Sequence, residues 1–218
     1  MSKVRFSLAM SLDGYVAGPE QSVENPLGVG GMRLHDWAFE LAAWRREHGL
    51  EGGEVNASTP VVEETVANVG AYVMGRNMFG GGPGPWPEEP WNGWWGDDPP
   101  FHTPVFVVTH HPRERLVMQG GTTFEFVTDG VEAALGQARA AAGGKDVVIA
   151  GGASVVRQAL VAGLVDEANV SLVPLLLGGG ERLFDGLGKT RPELEQIRAV
   201  DAPGVAHLKY RVLGPAPA

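Results

Sequence analysis

At 218 residues, with 17 basic against 26 acidic side chains, a net charge of −9, 44% apolar residues and no cysteine, the chain can bury a substantial core without disulfides. Global disorder, thiolate nucleophiles and cysteine-based zinc sites are excluded. The acidic balance argues against a nucleic-acid or membrane partner, so any anionic ligand must be gripped by local groups. With no apolar run long enough to span a bilayer and no signal-peptide-like start, the sequence reads as a cytoplasmic protein forming one domain over residues 1–218.

In chain order, Val4 to Met10 predicts a first strand, and Asp13-Gly14 a turn whose aspartate bonds nearby amides, a catalytic role being the rarer alternative. A Gly-rich loop at 18–34 is longer than a connector needs. Trp37, Leu41, Trp44 and His48 recur at helical spacing and predict one helix starting at His35 or Asp36, with Asp36 as N-cap, and ending at Gly49. A second helix follows Ser58-Thr59-Pro60, presents Val62, Val66 and Val69 on one side and stops at Gly70. Ala71 to Gly75 is a short buried strand running into Arg76, a residue suited to phosphate. Residues 80–104 gather Trp86, Trp91, Trp94, Trp95 and Phe101 among prolines and glycines. That pattern suits an aromatic flap, or else a structural or dimer-contacting loop.

Val105 to Thr109 is a further strand, ending at His110-His111. Adjacent histidines diverge on extended backbone and lack the spacing of a metal pair, so no metal site is expected. A strand at Thr123 to Thr128 leads into a helix capped by Asp129 with Glu132 and carrying Val131, Leu135 and Ala138. The stretch Asp146 to Leu160, DVVIAGGASVVRQAL, reads as a strand buried on both faces and delivered through Gly151-Gly152 into a helix. The free amides of such a helix start attract a phosphate-bearing cofactor, the plain alternative being a tight turn without ligand. Strand Glu167 to Val173, a second Gly-rich turn from Leu175 to Arg182, and a hairpin of Leu194 to Val200 with Val205 to Leu213 complete the chain. Strands alternating with helices and closed by a hairpin imply an α/β fold with a mixed, mostly parallel central sheet flanked by helices.

Four segments carry a family resemblance: SLDGYVAG at Ser11 to Gly18, VMGRNMF at Val73 to Phe79, PVFVVTHHPR at Pro104 to Arg113, and VVIAGGASVVRQAL with VDEANVSLVPLLLGGGERLF. In this order they resemble the dihydrofolate reductase-like superfamily, more closely the branch sharing the reductase domain of bifunctional riboflavin-biosynthesis deaminase/reductases. The resemblance implies a single dihydrofolate reductase-like domain and reduction by NADPH of a small heteroaromatic, imine or carbonyl substrate, pterin-like or pyrimidine-like. It implies that Gly75, Arg76 and Asn77 approach the cofactor, with Arg76 on the 2′-phosphate, and that Thr109 and His110 flank the adenosine. Gly151, Gly152, Ala153, Ser154 and Val155 would cradle the pyrophosphate, the Gly151-Gly152 bond being cis, and Ala9, Val16 and Ala17 would line the nicotinamide. Met78 and Val156 depart from the threonine and tyrosine common in the family. Asp36 is the nearest match to the family's catalytic acid, its competing use being the helix cap, and Trp37, Glu40, Trp94 and Trp95 would line the substrate. No basic cluster for a ribose phosphate is evident. The branch also implies a homodimer, and a non-catalytic nucleotide- or flavin-binding homodimer of the same fold is the alternative.

Overall fold

The computed structural model describes residues 2–88, 91–188 and 192–215. Its strands are β1 (Val4–Ser11), β2 (Tyr15–Ala17), β3 (Val69–Gly75), β4 (Pro104–Val108), β5 (Leu116–Val117), β6 (Thr123–Val127), β7 (Asp146–Gly151), β8 (Glu167–Val173), β9 (Glu181–Arg182), β10 (Pro192–Ala202) and β11 (Val205–Pro215). The helices are α1 (Asp36–Phe39), α2 (Ala42–Glu47), α3 (Thr59–Val66), α4 (Arg76–Phe79), α5 (Gly130–Ala141) and α6 (Ala153–Val161). Nine strands form one sheet in the order β10-β11-β8-β1-β7-β3-β4-β6-β5, and β2 pairs with β9 as a separate ribbon. From β8 across to β6 all neighbours are parallel, while β11, β10 and β5 join antiparallel. The unalternating apolar runs in β4 and β7 have this cause, since a parallel strand covered on both faces has no wet side.

Alternation along the strands sorts side chains to two faces. On one face Val4, Phe6, Val73, Phe106, Val147, Ile149, Ala168 and Val170 pack against Val131, Leu135 and Ala138 of α5 and Val155, Val156 and Ala159 of α6. Each fully buried Val or Leu there contributes roughly 1.5–3 kcal/mol of burial energy. The opposite face has two covers. Over β3, β4 and β6 it buries Met74, Val105, Val107 and Phe124 beneath Trp86, Trp91, Trp95 and Phe101. Over β1, β8 and β11 it is polar: Arg5, Glu167, Asn169, Ser171 and His207 are all buried there, partnered from α3 and the residues beside it.

Several local expectations are corrected. The helix expected from His35 to Gly49 is broken into α1 and α2, because Leu41 is extended (φ −73, ψ 131) and bridges to Glu54. The Glu40 carbonyl accepts the Glu54 amide at 2.6 Å and the Glu54 carbonyl accepts the Ala42 amide at 2.8 Å, so a neighbouring segment takes the bonds the helix would have used. Asp36 is not an N-cap: a 3-10 turn over Gly31–His35 precedes it, and His35 occupies that position without a side-chain bond. Helix α3 stops at Val66, Val69 and Gly70 belong to β3, and Val61 is its buried valine. Asp129 stands at the N-cap of α5 without making a side-chain capping bond.

The tryptophans of residues 80–104 pack as a structural loop does, one of the uses that the sequence leaves open. On their face of the sheet only the four-residue α4, through Phe79, lies over this end, and the tryptophans supply the rest of the layer. The Trp86 indole donates to the His111 carbonyl at 2.9 Å, Trp91 to Phe79 at 2.7 Å and Trp94 to Met78 at 2.9 Å. Trp95 meets Phe101 edge to face at 4.9 Å. With the N–H groups of Trp86, Trp91 and Trp94 spent on backbone carbonyls, these partly buried rings serve as packing against the core. Among the described residues no helix is long and apolar enough to cross a membrane.

Candidate cofactor and substrate site

The carboxyl ends of β1, β7 and β3 meet the start of α6, with the Gly151-Gly152 peptide cis as the resemblance implies. The amides of Val155 and Val156 turn back onto the Gly152 carbonyl at 3.1 and 3.3 Å. Those of Gly152, Ala153 and Ser154 bond to no described residue, and the first turn of α6 carries no acidic side chain. A Cβ built on Gly152 would meet nothing within 4 Å, whereas one on Gly151 would lie 2.9 Å from Met78 Sδ. The turn thus presents three unpaired donors to a space that a side chain would fill. Such a helix start is shaped for an anion. Gly75 completes it, since a Cβ there would press to 3.1 Å on Val155 Cγ2.

Two loops converge beside this turn. Asp13, at the end of β1, accepts the Leu177 amide at 3.1 Å, the Gly178 amide at 2.7 Å and the Ser11 hydroxyl at 2.5 Å. The Ser11 hydroxyl first, then those amides, holds its carboxyl down at about 2. The turn role of Asp13 is therefore the one the structure uses. A Cβ on Gly28 would fall 2.2 Å from the Gly18 carbonyl oxygen, so glycine is what lets the 18–34 loop fold back on itself. Arg157 of α6 ties the β2–β9 ribbon to the same corner through Glu181, at 2.7 Å. Ala17 is buried, Val16 leans on the main core and Ala9 remains partly open.

At the β3–β4 end the expected adenosine contacts are less free. Arg76 donates through Nε to Gly80 at 3.0 Å and through Nη2 to Gly81 at 3.2 Å, lies 3.2 Å over the Trp86 ring, and has its Nη1 enclosed without a partner. Burial, and then the neighbouring Arg113, push its pKa down. Arg113, which the sequence reading passed over, also reaches the Trp86 ring, at 4.9 Å, and bonds Asn92 at 3.0 Å. Thr109 is buried and bonded to its own turn through the His111 amide at 3.2 Å, while Asn77 and His110 are exposed. Ser154 is exposed and accepts from Gln158 at 3.1 Å.

The substrate-lining expectations fare differently. Asp36 and Glu40 are exposed and make no side-chain bond to a described residue. Trp37 donates to the Leu34 carbonyl at 2.9 Å and sets its ring edge-on to His207 at 4.8 Å, joining a small core with Leu34, Val173 and Val205. Trp95 is used in the sheet cover, and Trp94 sits edge-on to Trp91 at 4.5 Å. It is His35, one residue before Asp36, that is half-buried, its Nδ1 enclosed without a partner and its pKa lowered by burial despite Asp36. Cavities of about 300 Å³ between Leu12, Pro174 and the Ala202–Ala206 turn, and of about 190 Å³ among Phe6, Leu160, Phe184 and Leu194, touch none of the expected cofactor residues. Among the described residues no group of three or more metal-binding side chains comes together.

The family model described as the RibD C-terminal domain matches residues 2–206. No curated protein sequence matches. A solved protein from Shewanella sp. PV-4, provisionally assigned to riboflavin biosynthesis, is 23% identical with a TM-score of 0.62, the match covering 97% of this chain and 99% of that one. Acinetobacter baumannii RibD is 16% identical with a TM-score of 0.58, and there the match covers 97% of this chain but 58% of the other. Enterococcus faecalis dihydrofolate reductase, solved with NADP(H) and RAB-propyl, is 14% identical with a TM-score of 0.52, covering 99% and 97%. At these identities the likeness is one of fold.

Proposed function

The chain belongs to the RibD C-terminal domain family, and on that premise we propose that it is an NADPH-dependent reductase acting on a small heteroaromatic, imine or carbonyl compound, pterin-like or pyrimidine-like. The observation that carries this reading is the trio of unpaired amides at Gly152, Ala153 and Ser154, facing open space at the head of a nine-residue helix. That arrangement fits a pyrophosphate, with Gly151 and Val155 framing it. Arg76, Asn77, Thr109 and His110 would receive the adenosine end, and Ala9, Val16 and Ala17 the nicotinamide, which when bound supplies the hydride.

The chain's own contribution is then positioning. The amides fix the phosphates, the partly open β1 surface at Ala9 offers a flat floor, and the packed 18–34 loop limits water. With Asp36 exposed, the proton that follows hydride transfer comes from solvent. We also propose a homodimer; the resemblance supports it, together with the long exposed edge strand β10, where Leu194 and Ile197 are open. The test of function is NADPH oxidation by the purified protein against pterins, folates, pyrimidines, quinones and small carbonyls. Turnover with one class supports the reading. NADPH bound but never oxidised, or a bound yellow flavin, would support the non-catalytic nucleotide- or flavin-binding alternative.

A further inference from the structure

The polar face of β1 and β8 has one pair of side chains left over. Ser7 and Asn169 are register neighbours on adjacent parallel strands, between the Arg5–Glu167 pair and the Ala9–Ser171 pair. Every other polar group of this layer is spent. Arg5 donates to the Thr65 and Ala67 carbonyls at 3.1 and 2.7 Å and faces Asp146 at 3.5 Å. Lys209 bonds Glu64 at 2.5 Å and Glu167 at 3.0 Å, and Lys3 takes the other oxygen of Glu167 at 2.5 Å. Ser171 is bonded to His207 at 2.9 Å, whose second ring nitrogen meets Ser58 at 2.9 Å.

Asn169 is only 7% exposed, yet its amide bonds no described residue and is not sealed off in the way that the Arg76 and His35 nitrogens are. Its polar atoms therefore border accessible space. That space lies over the centre of the sheet, between the tryptophan cover on β3, β4 and β6 and the helical cover on β8 and β11. There Ser7, Ala9, Ala150 and Gly152 are all partly exposed. It adjoins the turn proposed to hold the cofactor.

We infer that this trough recognises a neutral, unphosphorylated cyclic amide, with Asn169 pairing to the lactam edge and Ser7 bonding beside it. The inference rests on the reductase reading for its place in the reaction, though not for the binding itself. A carboxamide presents a C=O acceptor and an N–H donor side by side, and an adjacent N–H and C=O on a ring is its complement, the two-bond match by which Asn reads base edges. Left unpaired, a buried amide costs free energy, so the site gains by receiving such an edge. A phosphate has nothing to meet: the three cations of this layer, Arg5, Lys209 and Lys3, are paired with carboxylates. A bare cation is equally unmatched, because Glu64 and Glu167 are held by lysines.

The test is calorimetric titration of the full chain, with and without NADPH, using pterin (2-amino-4-oxopteridine) as the lactam probe and uridine against uridine 5′-monophosphate as the charge comparison. Wild type should bind pterin, and Asn169→Leu and Ser7→Ala should each weaken it about tenfold, the value of one neutral hydrogen bond. Uridine should bind no more weakly than its monophosphate. An unchanged melting temperature shows that a variant is folded, and Ser7→Ala, the milder change, carries the test if Asn169→Leu does not fold. Failure of wild type to bind pterin, unaltered pterin affinity in a folded variant, or tighter binding of the monophosphate each overturns the inference. Pterin binding that depends on Asn169, with NADPH oxidised by none of the pterins, folates, pyrimidines, quinones or small carbonyls, would instead leave recognition standing and remove the reductase reading.

Discussion

Replacing Gly152 with alanine adds one methyl group where the protein has no atom within 4 Å to receive it. The backbone there (φ −82, ψ −174) is extended and open to any residue. Folding stability should change by no more than about 0.5 kcal/mol, the usual range for a substitution without contacts. Binding should not be spared. The methyl enters the space faced by the three free amides, and each charge-assisted amide–phosphate bond lost is worth roughly 1.5–3 kcal/mol, so NADPH affinity should fall by about ten- to a hundredfold. Gly151→Ala makes the contrast. Its Cβ would lie 2.9 Å from Met78 Sδ at a φ of +149, and the strain should cost about 1–3 kcal/mol, seen as a lower melting temperature. Thermal melts and NADPH titration of both variants decide the matter. Gly152→Ala binding NADPH like wild type would show that the phosphates go elsewhere, and a melting temperature as low as that of Gly151→Ala would show the open space to be misjudged.

Arg76→Ala should reduce an NADPH-over-NADH preference of about one to two decades toward parity, and its lost bonds to Gly80 and Gly81 and its contact with Trp86 should lower stability by about 1–3 kcal/mol; wild-type protein binding both cofactors equally would refute the first part. Trp95→Ala should act as a core deletion costing about 3–5 kcal/mol, measured by denaturant unfolding; unaltered stability with a raised KM would restore the lid. His207, pushed down to about 4 by burial and then by Arg198, stays neutral in the fold while an unfolded histidine takes a proton below its ordinary 6.5. Stability should therefore be lost as pH falls from 6.5 to 4, by about 3 kcal/mol in all, and His207→Gln should lose correspondingly less than wild type over that window. Light scattering should give twice 23.1 kDa; a monomer at micromolar concentration would refute the dimer.

The strands and the Gly151-Gly152 turn were legible because their causes are local. Apolar runs such as those of β4 and β7 announce a buried parallel strand, and two residues without Cβ announce a close approach. The break between α1 and α2 was not legible, because it depends on Glu54 reaching Glu40 and Ala42 across the intervening loop. Periodicity from Trp37 to His48 is real in the sequence, and Trp44 of α2 does stack at 3.8 Å on His48 at the helix end, but tertiary hydrogen bonds outweigh it at Leu41. The use of the tryptophans stayed open for a related reason. Scattered among glycines and prolines they have no period, and only the sheet, with one face covered by no more than the short α4, shows what they cover.

Ser7 and Asn169 mark the limit of that reading more sharply. Ser7 is two residues before Ala9 and so shares its face by alternation alone, a signal present in VRFSLAMS and not drawn out. Asn169, in EANVSLV, could be seen as a polar residue inside a buried strand, but whether its amide is satisfied is a question of neighbours that no spacing answers. In the fold its row-mates pair off: Glu167 with lysines, Ser171 with His207. What singles Asn169 out is the absence of such a partner among the described residues. In a layer where every charge is neutralised, that unspent amide is the group best placed to choose a ligand, and the choice it imposes is for a neutral hydrogen-bonding edge.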